Sequence, residues 1–258
     1  MGADQGDPAR TLTPGPVRVA ALADVHGNAP ALEAVLAEIE MEAPDLIVFC
    51  GDLTWGPLPE ETLALVEGVD ARFVRGNAER ELASLFAHVG EDASERARFL
   101  VERHDEGARQ LVAGFAESIV VDVVGLGPTR FCHGSPRSDE ELVTPETPVE
   151  RVREFVAGVE ESTVVTAHTH VSYDRVVEGT RLLNPGSVGL PYEGRPGAYW
   201  AFLGPGVEHR RTEYDLDDAE RRIRAAGGPF ADLTMELLRS PPTRGEAIEH
   251  AEGRVFSG

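Results

Sequence analysis

Five short apolar runs in this chain each end in aspartate, asparagine or histidine, and no other feature constrains the fold as much. The runs close as ALADVHGN, FCGDLT, VRGNAE, FCHGSP and VVTAHTH. They place Asp24, His26, Asp52, Asn77, His133, His168 and His170 at the ends of candidate strands. In α/β folds the chemistry collects beyond the C-terminal ends of the strands, so five separated segments can converge there. Seven oxygen and nitrogen donors at one point suit two divalent ions. Two ions about 3.5–4 Å apart are the machinery for displacement at phosphorus.

The pattern between these runs is that of alternating strands and helices. Val17–Ala23 and Leu46–Cys50 read as strands, and so does Arg72–Val74. Leu46–Cys50 is almost wholly apolar, as expected of a parallel strand covered on both faces. Between them, Leu32, Val35, Leu36 and Ile39 recur at helical spacing within a predicted helix over Ala29–Glu42, with Pro30 in its first turn. A short helix is expected near Glu60–Glu67. This β-α-β-α-β order predicts parallel pairing with right-handed crossovers. Residues 78–116 are charged and helical, and they interrupt the strand pattern as an insertion. Strands are expected again at Ser118–Val124, Arg130–Cys132, Val164–Thr166, Tyr173–Val177, Arg181–Leu183, Ala198–Leu203 and Val207–Tyr214. Helices are expected at Val149–Val159, Leu216–Ala226 and Phe230–Leu238. The division that follows is a disordered tail over 1–16, a domain over 17–240 and a patternless C-terminal tail over 241–258.

Composition narrows the function. A net charge of −21 excludes a general DNA or RNA binder, because phosphate backbones demand a basic surface. All 24 basic residues are arginine, which excludes a Schiff-base lysine and a P-loop lysine. Cys50 and Cys132 form no disulfide framework and read as small buried strand residues, with zinc ligation as the lesser reading. No run of 18 apolar residues exists, and residues 1–16 lack the apolar core of a signal peptide. A cytoplasmic protein with no membrane partner is expected.

Spacing supports the metal reading. Asp24 and His26 stand two apart, as do His168 and His170. In extended chain, positions i and i+2 share a face, so each pair is expected to reach one ion. Gly27, Gly51, Gly76 and Gly134 adjoin the donors and let backbone turn sharply near an ion. Two carboxylates, one amide and four imidazoles suit manganese, iron, zinc, cobalt or nickel better than magnesium or calcium. Manganese is the expected ion, and Asp52 the expected bridge between two ions.

Taken in order, DVH, GDLTW, GNAE, HGSP and AHTH resemble the five signature motifs of the calcineurin-like metallophosphoesterases, over about Val17 to Leu203. The run NPGSVGLPY (Asn184–Tyr192) resembles the bacterial and archaeal phosphodiesterase branch of that superfamily. The resemblance implies an α/β fold, a four-layer α-β-β-α sandwich with two mixed central sheets. It implies one ion held by Asp24, His26 and His170, a second held by Asn77, His133 and His168, and Asp52 between them. It also implies hydrolysis of small phosphoesters by a metal-bridging hydroxide, with diesters preferred to monoesters. The alternatives are a phosphomonoesterase, a mononuclear zinc hydrolase and a non-catalytic scaffold on the same fold.

The chain departs from the family pattern at two places. The third motif usually reads Gly-Asn-His-Asp/Glu, and here it is Gly76-Asn77-Ala78-Glu79. Alanine neither stabilises phosphoryl charge nor protonates a leaving group, a service worth about 10²–10⁴-fold. Ala167, where glycine is common, is the milder change. His104 and His88, both in the insertion, are the candidate replacement proton donors, with residues 88–116 as a possible lid. Asn28 and Arg137 are candidate phosphate-binding residues. Trp55 and Tyr192 are candidate pocket walls. Asn184 and Ser187 read as structural hydrogen-bonding residues of a turn, and Arg75 and Arg80 as offsets to the acidic surface.

Overall fold

The computed structural model describes residues 15–90 and 92–254. The tail expected over 1–16 lies outside the described residues up to residue 14, as do residues 255–258. In chain order the elements begin β1 (Val19–Leu22), α1 (Ala29–Glu42), β2 (Leu46–Phe49), α2 (Pro59–Val66), β3 (Ala71–Phe73), α3 (Asn77–Ala87), α4 (Glu95–Glu102) and α5 (Glu106–Ala113). They continue with β4 (Ser118–Val123), β5 (Gly127–Cys132), α6 (Val149–Phe155), β6 (Thr163–Val165), β7 (Tyr173–Val177) and β8 (Thr180–Asn184). The last are β9 (Ala198–Leu203), β10 (Val207–Thr212), α7 (Leu216–Ala226), α8 (Ala231–Arg239) and α9 (Arg244–Gly253).

The strands form two mixed sheets of five strands each, in the orders β10-β9-β1-β2-β3 and β4-β5-β6-β8-β7. In the first, β1, β2 and β3 run parallel and β9 closes on β1 antiparallel. In the second, β5, β6 and β8 run parallel, with β4 and β7 antiparallel at the edges. β1 shows why the sheets must stack. All four of its residues are buried, with Val19 and Ala21 toward one core cluster and Ala20 and Leu22 toward another. The first cluster lies between the sheets and joins Val48, Val121, Phe131, Val165 and Leu183. The second packs the other face against Ala31, Leu32, Val35 and Ile39 of α1. On the far side, Val152 and Phe155 of α6 cover Val164 and Leu182 of the second sheet. The result is helix, sheet, sheet, helix, the four-layer arrangement expected from the motif resemblance.

α1 begins at Ala29 and ends at Glu42 as its apolar spacing predicts. The insertion packs onto itself and onto the C-terminal region, with Leu82, Leu100 and Val112 around Phe230. One expectation is overturned. The region beyond residue 240 is not a patternless tail, because α9 forms there and buries Ile248 and Ala251. A Thr243–Glu246 capping box starts it, the sequence signature S/T-x-x-E that marks a helix start. Among the described residues no helix is long and apolar enough to cross a membrane.

The parallel strands decide where the donors go. β1, β2 and β3 release Asp24, Asp52 and Asn77 from one end of the first sheet. β5 and β6 release His133 and the His168–His170 pair from the second. Phe131, fully buried between the sheets, sets the depth at which β5 ends. Phe131→Ala is expected to lower the unfolding free energy by about 3–5 kcal/mol in denaturant titration, and a loss below about 1 kcal/mol would show that the sheets do not pack through this side chain.

Candidate metal centre

The donor-bearing turns are not extended chain. Asp24, His26, Asp52, His168 and His170 all have positive φ, between 47° and 65°. β1 stops at Leu22, two residues before Asp24, and the chain then coils in the left-handed region. The expectation that an extended i, i+2 pair aims both side chains is therefore corrected, since a tight turn aims them instead. Left-handed conformation is uncommon for residues with a Cβ, and each such site stores roughly 1–3 kcal/mol of strain. Backbone hydrogen bonds hold the turns in place. Asp24 N donates to Gly51 O at 3.0 Å, His26 N to Asp52 O at 2.9 Å, and Gly189 N to Asp24 O at 3.0 Å. Gly76 permits a close approach of two turns, because a Cβ there would lie 2.1 Å from Asp52 Oδ1.

The turns bring the donors into two groups, Asp24 with His26 and His170, and Asp52 with His133 and His168. His26 Nε2 and His170 Nε2 face each other at 3.2 Å, and His170 Nε2 lies 3.5 Å from Asp24 Oδ1. In the second group His133 Nε2 lies 3.1 Å from His168 Nδ1 and 3.0 Å from Asn77 Oδ1. Asp52 touches both groups, with Oδ2 3.6 Å from His26 Nε2 and Oδ1 3.4 Å from His133 Nε2. Carbonyl oxygens orient three of the rings. His26 Nδ1 faces Trp55 O at 3.1 Å, His133 Nδ1 faces Cys50 O at 2.8 Å, and His170 Nδ1 faces Leu190 O at 2.6 Å. An imidazole that donates its Nδ1–H to a carbonyl presents a lone pair at Nε2, the usual preparation for a metal ligand. Asp24 Oδ1 is buried with no hydrogen-bond partner. An unpartnered buried carboxylate oxygen beside converging ring nitrogens fits a cation.

The electrostatics agree with that fit. Burial opposes ionisation of Asp24, but the facing imidazole of His170, helped by His133 and His26, holds its carboxyl below the ordinary carboxylate range. Burial lowers the pKa of His168 to about 4, with His133 adding to the effect, and burial also lowers that of His26. His170 and His133 move upward against burial, drawn by Asp24 and Asp52 respectively.

Glu79 is a residue that the motif comparison did not single out. It is fully enclosed, and its carboxylate accepts from Leu53 N at 2.7 Å, Gly76 N at 2.7 Å and Asp52 N at 2.9 Å. One side chain thus ties the Asp52 turn to the Asn77 turn. Burial and the Asp52 charge push its pKa up to about 7, against the pull of the three N–H groups. The sequence signal was available, because Glu79 is the third residue of α3 and reaches back to the Gly76 N–H as a capping glutamate does.

The structure corrects the candidate substrate and proton-donor residues. Asn28 is completely buried and caps α1 through Ala31 N, while its amide donates to Gly189 O and to the Tyr214 hydroxyl. No donor remains for a phosphate. Arg137 is occupied by Glu141, with Nη2 donating to Oε1 at 2.7 Å and Nε to Oε2 at 3.1 Å, and it lines a separate cavity of about 230 Å³ behind His133 rather than the one that holds His26, Asp52 and His170. His104 is buried, with Nδ1 facing Leu100 O at 2.7 Å and Nε2 facing the Thr54 hydroxyl at 3.0 Å. Both ring nitrogens are committed inside the protein, so His104 cannot reach a leaving group. His88 is exposed at the end of α3 and lines no part of the cavity. Among the described residues, none of 78–116 lines it either.

Asn184 and Ser187 have the structural role expected of their turn. Asn184 donates to Ala167 O at 2.8 Å, and Ser187 Oγ donates to Asp24 O at 2.8 Å. Arg75 pairs with Glu117 and Arg80 with Asp139 and Glu140. Cys50 and Cys132 are free, buried and outside both donor groups. Trp55 packs beside the insertion, whereas Tyr192 stacks on the His170 ring at 4.6 Å and lines the cavity. That cavity, of about 460 Å³, has His26, Asp52, Asn77, His168 and His170 as its floor. Leu142, Leu190 and Tyr192 form its sides, and the opposite wall is α9.

With this geometry in hand, the comparisons with known proteins agree on one family. The model of the calcineurin-like phosphoesterase superfamily domain matches residues 17–203. An uncharacterised protein of Methanocaldococcus jannaschii, MJ0912, is 25% identical, and the match covers 80% of this chain and 91% of that protein. Two crystal structures share the fold. The hypothetical protein PH1004 of Pyrococcus horikoshii has a TM-score of 0.73 at 21% identity, with 88% of this chain and 99% of that chain covered. A metallophosphoesterase from Sphaerobacter thermophilus has a TM-score of 0.71 at 23% identity, with the same coverage of 88% and 99%.

Two outcomes are expected. Glu79→Ala would strand three buried N–H groups, each worth about 1–3 kcal/mol. A stability loss of about 3 kcal/mol or more in denaturant unfolding is predicted, and a loss under 1 kcal/mol would contradict the tie. His104 is held neutral by burial below its ordinary value of 6.5. The unfolded chain therefore takes up the proton first as pH falls, and stability drops below pH about 6.5 by up to about 1.4 kcal/mol per pH unit. His104→Gln should flatten that drop between pH 7 and 5, and an unchanged slope would show the ring is not held neutral.

Proposed function

The chain belongs to the calcineurin-like phosphoesterase superfamily, and from that premise we propose that it is a dinuclear metal-dependent phosphodiesterase acting on small phosphoesters. The observation that carries the reading is the sharing of Asp52 between the two donor groups. Its oxygens address one group each, so a single carboxylate can span a pair of cations. Divalent cations held there supply Lewis acidity at phosphorus and lower the pKa of water. Four imidazoles and one amide beside two carboxylates favour manganese or another transition ion over magnesium or calcium.

The protein's own residues do the rest. Asp24, held ionised by the facing His170 with His133 and His26, brings negative charge beneath the cavity. Trp55 O, Cys50 O and Leu190 O fix the ring orientations, so the nitrogens need no reorganisation when a substrate arrives. Leu142, Leu190 and Tyr192 make the sides of the pocket largely apolar. Ala78 puts no proton donor at its position, which favours diesters with good leaving groups over monoesters. A cavity of about 460 Å³ admits a small phosphoester. The net charge of −21 favours a small-molecule substrate over a nucleic-acid polymer. Cytoplasmic residence belongs to the same reading, in keeping with two unpaired buried cysteines.

The test is kinetic. Chelator-treated protein should be inactive and should regain turnover with Mn²⁺, cleaving bis(p-nitrophenyl) phosphate faster than p-nitrophenyl phosphate. Asp52→Asn is expected to lower kcat more than about 100-fold, beyond the 10–100-fold typical of changes to outer-shell partners. Faster turnover of the monoester would overturn the diester preference. Turnover that survives exhaustive chelation would overturn the metal dependence.

A further inference from the structure

The position held by Ala78 lacks an ionisable side chain, and His104 and His88 do not reach the site. α9 does. Its residues Glu246, Ala247, His250 and Ala251, and Arg254 directly after its last turn, line the same cavity as His26, Asp52, Asn77, His168 and His170. Spacing of three and four residues puts the four helical ones on one stripe. The stripe is polar at 246 and 250 and small at 247 and 251, and the extended backbone at Arg254 continues the wall past the helix end.

The helix is firmly placed. Glu252 accepts from the hydroxyls of Thr144 and Thr147 at 2.6 and 2.7 Å. Arg244 reaches Glu193 at 3.1 Å, and Gly194 N donates to Pro242 O at 2.8 Å. Glu246 is occupied by its capping contacts with Thr243. His250 and Arg254 differ from it, because neither makes a side-chain hydrogen bond or an ion pair among the described residues, and both are open to solvent. Two uncommitted polar side chains on a rigid wall, across from the donor groups, have the placement of substrate-contacting residues.

We infer that α9 and the residue that caps it supply the substrate-facing groups of this site, with His250 as the proton donor to the leaving oxygen and Arg254 as the partner of the phosphate oxygens. The inference rests on the phosphoesterase reading above. In the step, a water oxygen forms the new bond to phosphorus and the bond to the leaving oxygen breaks with its electron pair. That oxygen takes the proton of the His250 imidazolium. The proton of the attacking water passes to solvent, and the exposed imidazole recovers its own from solvent. Arg254 offers a planar fork suited to two phosphate oxygens.

The experiment uses the full-length chain, loaded with Mn²⁺ to equal content in wild type, His250→Gln and Arg254→Gln, with thermal midpoints matched to exclude misfolding. Turnover is measured on diesters whose leaving groups run from p-nitrophenol to a simple alcohol. His250→Gln is expected to lower kcat by about 10²-fold or more for the alcohol and only several-fold for nitrophenol, steepening the dependence on leaving-group pKa. Arg254→Gln is expected to raise KM and to weaken binding of inorganic phosphate, read by calorimetry, by about tenfold or more. An equal loss across all leaving groups, no loss in His250→Gln, or unchanged phosphate binding in Arg254→Gln would overturn the assignment. Wild type with no metal-dependent turnover on any ester would instead overturn the phosphoesterase reading and this assignment with it.

Discussion

Electron pairs converging on one small volume are the constraint around which this molecule is arranged. Asp24 and Asp52 are buried carboxylates, three imidazoles bring ring nitrogens to 3.4–3.6 Å from their oxygens, and the fourth, His168, lies 3.1 Å from the His133 ring nitrogen. Such a cluster is unfavourable in isolation, since buried charge needs opposite charge and buried acceptors need donors. The fold accepts it only at the edge where two sheets end together, with the inter-sheet core below and the cavity above. The Cys50 and Leu190 carbonyls, each fixing a ring, show that the surroundings are built to hold this geometry.

Backbone strain is the second expression of the same constraint. Five donors sit in left-handed turns, and together they store several kcal/mol at about 1–3 kcal/mol each. The balance comes from ties between turns rather than from any one turn. Glu79 bonds three N–H groups across two of them, Ser187 holds Asp24 O, and Asn184 holds Ala167 O. These residues do not line the cavity, yet the relative positions of the donor groups depend on them.

Much of this was legible in the sequence, for reasons that particular residues make clear. β1 and β2 were visible because both of their faces are buried, which leaves no polar residue to break the run. α1 was visible because Leu32, Val35 and Ile39 repeat at helical spacing toward one core. The seven donors were visible because polar residues closing apolar strands are rare and these recur in five runs. The handedness of their turns was not visible, since Asp-x-His has the same spelling in an extended strand and in a coil. α9 escaped notice because its cavity face is polar and its buried contacts are few, so it has no apolar stripe to announce it. Asn28, Arg137 and His104 had residue types suited to substrate, but tertiary partners had already taken their donors. Sequence distance from the motifs was also misleading, because the wall opposite Asp52 comes from residues 242–254 rather than from the insertion beside Asn77.

The central claim is that the two donor groups hold two cations with Asp52 between them. Anomalous diffraction from a crystal equilibrated with Mn²⁺ tests it most directly. Two peaks are predicted, one against Asp24, His26 and His170 and one against Asn77, His133 and His168, with an Asp52 oxygen in contact with each. A single peak that leaves one group unligated, or peaks located away from these side chains, would contradict the account.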